Sequence, residues 1–67
     1  MNYRQWGLQY LREAEELKRH TAPLRKQLKG LSGKDEILLF RRVSMLDAMY
    51  FECLHTGRML VERGAAC

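Results

Sequence analysis

Apolar residues recur along this chain at alternating steps of four and three, and they do so in both halves. In the second half, Leu39, Val43, Leu46, Tyr50, Cys53, Gly57 and Leu60 mark such a seam within the most apolar stretch, Ile37 to Val61. That spacing keeps one face of an α-helix turned toward a partner. A strand does not fit, because Leu38 to Phe40 and Met49 to Phe51 would set apolar groups on both faces with charges between them. In the first half Tyr3, Tyr10, Leu17, Leu24 and Leu31 recur every seven residues, with Gly7, Ala14, Thr21 and Leu28 between them. Arg12, Glu15, Arg19 and Lys26 fall on the opposite, water-facing side. The pattern predicts two helices, about 3–29 and 34–63.

Local signals frame these helices. Asn2 with Gln5 has the form of a capping box. Pro23 removes a backbone donor and disfavours helix at Ala22, yet the seam passes it in phase from Leu17 to Leu24 and Leu28. A kink is therefore expected rather than a break; the alternative makes Thr21 the N-cap of a new short helix. Gly30, Ser32 and Gly33 end the first helix with Leu31 packing back, and Ser32 with Asp35 is placed to cap the second. Gly64 is expected to stop that helix, giving one domain over 1–64 and a frayed tail over 65–67. Two long helices and a short loop make an all-α antiparallel hairpin. A fold point near Ser32 sets Gly7 beside Gly57, Ala14 beside Tyr50, Thr21 beside Val43 and Leu24 beside Phe40.

The second helix is apolar over a wider arc than one partner helix covers. The arc runs from Leu38 and Met49 round to Val43, Val61 and Leu54, with Met45 and Met59 beyond one side of the partner's cover and Phe40 and Phe51 beyond the other. The economical solution is a second copy, two hairpins making a four-helix bundle. The expected partner or dimer interface is Leu38, Arg42, Met45, Met49, Phe51 and Met59. Arg42 is a charge that falls within that arc, placed to reach a carboxylate or carbonyl across the interface. The methionines suit core filling between hairpins and, alternatively, an adaptable surface for another protein.

Length supports the same expectation, since 67 residues bury a modest core and small domains usually add disulfides, metals or oligomerisation. Two cysteines make no disulfide framework: Cys53 falls on the seam and Cys67 follows Gly64-Ala65-Ala66. A reduced, cytoplasmic setting is the expectation, with no signal peptide and no membrane association. Charge adds a feature. Lys18, Arg19, Arg25, Lys26, Lys29, Lys34, Arg41 and Arg42 stand against Asp35 and Glu36, so residues 18–42 carry +6 of a chain with net charge +4. The hairpin gathers them toward its loop end. Arg25, Lys26, Lys29, Lys34 and Arg41 there are candidates for contacting phosphates, which makes nucleic acid the alternative partner. Helix-turn-helix spacing, zinc ligands and an aromatic stacking platform are missing from that region.

Candidate chemistry is sparse. Glu52 and His55 share the Glu-x-x-His spacing of di-metal bundles, but neither points along the seam, and a two-residue match also describes an exposed polar pair. Cys53 on the seam reads as a small buried hydrophobe more than a reactive thiol. His20 and His55 are far apart in the expected register, so no shared metal is expected. Tyr3, Trp6 and Tyr10 are expected as core at the open end. Phosphate-binding loops, nucleophile triads and Cys-x-x-Cys pairs are absent from the sequence. The expected role is a non-catalytic interaction or regulatory module, needing no cofactor or metal and working as a homodimer.

Overall fold

Helix α1 begins where Asn2, with extended backbone (φ −95°, ψ 121°), turns its side-chain oxygen onto the Arg4 N–H at 2.9 Å. That bond satisfies one of the first-turn donors that a helix leaves open. The reciprocal bond from Gln5 is not formed among the described hydrogen bonds, so half of the capping box is used. In the computed structural model, which describes residues 2–66, α1 spans Tyr3–Lys29 and α2 spans Lys34–Ala66. The two pack against each other as an antiparallel hairpin, 52 Å long and 15 by 14 Å across.

Helix α1 passes through Pro23 without interruption. Thr21 does not start a new helix. It is buried in the seam, and its hydroxyl donates to the Leu17 carbonyl oxygen at 2.6 Å. This bond back along the helix satisfies the one buried polar side chain of the packing seam.

The turn is built differently from its expected form. Gly30 stays right-handed (φ −95°, ψ −2°) and donates to the Gln27 carbonyl at 3.1 Å, while the Leu31 N–H donates to the Leu28 carbonyl at 3.3 Å. The left-handed residue is Gly33, at φ +69°, where a side chain would be strained. Its carbonyl accepts the Ile37 N–H at 3.3 Å and opens α2. Ser32 therefore sits one residue too early to cap the helix, and no bond from it to α2 is present among the described residues. Asp35 and Glu36 in the first turn complement the positive end of the helix instead. Leu31 is exposed rather than packed back.

At the open end the register is the expected one, with Gly7 against Gly57. A Cβ on Gly7 would lie 2.7 Å from the Gly57 carbonyl oxygen and 2.8 Å from the Val61 nitrogen. The helices touch backbone to backbone there. Gly64 is a packing glycine of the same kind and not a stop: a Cβ on it would meet the Arg4 nitrogen at 2.9 Å. Helix α2 continues through it, so Ala65 and Ala66, expected to fray, are helical. Cys67 lies outside the described residues.

The seam is filled by small side chains. Among the described residues, Ala14, Thr21 and Val43 are its buried non-glycine residues, and no large side chain is fully buried. Phe40, paired with Leu24 in the expected register, is instead exposed, because two helices close only the line between them. Among the described residues, no helix is long and apolar enough to cross a membrane.

Candidate functional site: two unequal sides of the hairpin

Counting in sevens from the seam sorts the remaining residues onto two long sides. From Val43, Tyr50 and Gly57, one side of α2 receives Leu39, Leu46, Cys53 and Leu60, and the other Asp47, Leu54 and Val61. From Gly7, Ala14 and Thr21, the first side of α1 receives Tyr10, Leu17 and Leu24, and the second Leu11, Lys18 and Arg25. All of the leucines in these rows are half-buried: the partner helix covers one flank of each and leaves the other open.

The first side is extended by apolar groups. Met49 lines a groove there with Leu17, His20 and Cys53, rimmed by Glu13 and Glu16. Toward the loop, Leu38, Leu39 and Arg42 line a shallow hollow with Gln27, Leu31 and Asp35. Leu38, Met45 and Met59 are more than half exposed, at 58%, 68% and 54%. At the open end, Trp6 and Tyr10 lie tilted against each other at 6.3 Å, and the Arg63 guanidinium sits 5.7 Å over the Tyr3 ring. Tyr3 and Trp6, expected as core, are exposed rim residues of this side. A third helix layer is what their burial would require.

The second side is closed by charge. Lys18, Ala22, Arg25, Asp47 and Phe51 line its groove, and Arg25 is ion-paired with Asp47 across the seam. The structure thus divides the expected interface. Leu38, Arg42, Met45, Met49 and Met59 share the methionine side, whereas Phe51 lies across the seam from them, its ring edge-on to Tyr50 at 5.2 Å. The sequence contains the sign of this: Phe51 is in heptad register with Ser44 and Arg58, whereas Met45 and Met59 are in register with Leu38.

Of the basic candidates, Arg25 is committed to Asp47, while Lys26, Lys29, Lys34 and Arg41 are exposed toward the loop end. Arg42 takes part in no ion pair among the described residues. Glu52 and His55 are both exposed, and no group of three metal-ligating side chains converges among the described residues. Cys53 has neighbours that sequence spacing did not indicate. It shares its groove with His20, Glu13 and Glu16, not with His55. Desolvation, with the Glu13 and Glu52 carboxylates nearby, pushes its thiol above the ordinary cysteine pKa. A thiol held protonated is a poor nucleophile and a poor metal ligand.

No family model, curated protein or solved structure matches this chain.

Proposed function

We propose that this protein is a non-catalytic interaction module that works as a homodimer, two hairpins forming a four-helix bundle. The observation that carries the reading is uncovered surface. The hairpin exposes 5656 Å², whereas a compact monomer of 7.9 kDa exposes about 4,400 Å². The excess, roughly 1,200 Å² per chain, is of the size that one partner buries in a stable homodimer interface. It follows from the long, thin shape and from leucines and methionines that the seam leaves open. A seam of Ala14, Thr21 and Val43 is also too small a core to hold two helices together alone.

Sedimentation equilibrium in reductant, across a wide concentration range, tests this. The expected result is twice the chain mass with helicity and mass lost together on dilution. A well-folded monomer at all concentrations overturns the homodimer and leaves the methionine side for a different protein.

The exposed Lys26, Lys29, Lys34 and Arg41 favour a second reading, in which the loop end contacts the phosphates of a nucleic acid. Titration of a generic duplex at two salt concentrations separates the two. Phosphate binding weakens steeply with salt, and absence of binding at low salt excludes this use of the tip.

A further inference from the structure

Resting on the homodimer reading, we infer how the two copies are arranged: the methionine sides face each other, the hairpins run antiparallel about a two-fold axis near Met49, and the basic loop ends lie at opposite ends of the bundle. Charge chooses the side. Arg4, Lys18, Arg25 and Asp47 stand directly beside the seam on the second side, flanked by Glu15, Lys29 and Arg58. Burying these would desolvate several ions for little return. The rows beside the seam on the methionine side are Tyr10, Leu17, Leu24, Leu39, Leu46, Cys53 and Leu60, without a charge among them.

Charge also chooses the direction. Residues 18–42 are net +6 and gather toward the loop, whereas 1–17 and 43–67 are each net −1. A parallel pair would set two +6 ends side by side and the two Arg42 side chains at one level of the bundle. In the antiparallel pair the loop ends are separated by about the 52 Å length of the hairpin. That is several times the Debye length of about 8 Å at physiological ionic strength. Each basic end then overlies the other copy's open half, whose methionine side carries Glu13, Glu16 and Glu52 against Arg63.

The spacing of the methionine side is self-complementary about the same axis. Leu38 lies eleven residues from Met49 toward the loop and Met59 ten toward the open end, so each meets the other across the two-fold. An isologous interface requires this pairing of unlike positions. Arg42 lies seven residues toward the loop and Glu52 three toward the open end. Across the axis they are offset by about one helical turn, roughly 6 Å, within an arginine's reach. The unpaired arginine on the apolar side thereby gains a carboxylate.

The test uses the full chain with Cys53→Ala and Cys67→Ser, and a nitroxide on Ser32→Cys in the loop. Dipolar electron resonance on samples shown by sedimentation to be dimeric is expected to give a label separation near the hairpin's 52 Å length. A separation within two hairpin widths, each 15 Å, in a dimeric sample overturns the antiparallel arrangement and leaves the homodimer standing. A monomeric sample that the unsubstituted chain reproduces overturns both. Mixing Leu38→Cys with Met59→Cys chains in the same background gives a second readout. Mixed disulfides are expected in excess over Leu38→Cys pairs, and the reverse preference overturns the proposed facing.

Discussion

The two long sides of this hairpin share one seam and close it in different ways. On one, Lys18, Arg25 and Asp47 stand at the flank of Leu11 and Leu54, and an ion pair spans the groove. On the other, the leucine rows are flanked by Met45, Met49 and Met59, which add apolar surface instead of shielding it. The first resembles the solvated exterior of an ordinary helix pair, the second half of a core. Methionine suits such a face, since its unbranched, polarizable side chain adapts to whatever packs against it.

Substitutions that load the two sides unequally test the contrast. The largest effect is expected from Leu46→Asp, which forces a carboxylate beside the seam on the methionine side. An unpaired buried charge costs several kcal/mol, more than a two-helix chain holds in reserve, so circular dichroism is expected to show an unfolded chain at every concentration. Next comes Gly7→Ala, which is neutral between the sides because it strikes the seam itself. Its methyl meets the Gly57 carbonyl and the Val61 backbone, and overpacking against backbone is expected to cost about 3 kcal/mol, read as a lowered Tm.

The direct comparison is Met49→Asp with Phe51→Asp. The former is expected to raise the dimer Kd by about a hundredfold, near 2.7 kcal/mol, and the latter by less than about tenfold. Equal shifts in sedimentation would erase the distinction drawn between the sides. The smallest effect belongs to Arg25→Met. Its partner Asp47 is only partly covered, and exposed ion pairs contribute about 0–1 kcal/mol, so chemical denaturation is expected to show a change within that range.

Much of this was legible in the sequence. The four-three seam gave both helices, the hairpin and the contact of Gly7 with Gly57, because helical periodicity reports directly which residues share a face. The failures cluster where a residue's role depends on what lies across from it. Gly64 reads as a stop until the Arg4 backbone is seen against it. Ser32 reads as a cap until Gly33 takes the left-handed position and carries the chain past it. Phe51 joins the expected interface on apolar content, although the heptad count already sets it beyond the opposite edge of the seam from the methionines. Tyr3 and Trp6 read as core because aromatic residues usually are, but a hairpin has no layer to put over them. The ion pair of Arg25 with Asp47 had no sequence signal, since the two residues are remote in the chain and meet only through the register.

The contact between Gly64 and Arg4 has a topological consequence. It sets the backbone of Gly64 against that of Arg4, at the end of the rod opposite the Gly30–Gly33 turn. A connector of a few residues there would close the backbone into a ring, and reopening it at Ser32 would yield a permuted chain in which α2 precedes α1 while every seam contact is retained. Loop ends that lie close together tolerate such rewiring. Such a permuted chain is expected to keep the helicity and thermal stability of the original, which circular dichroism checks.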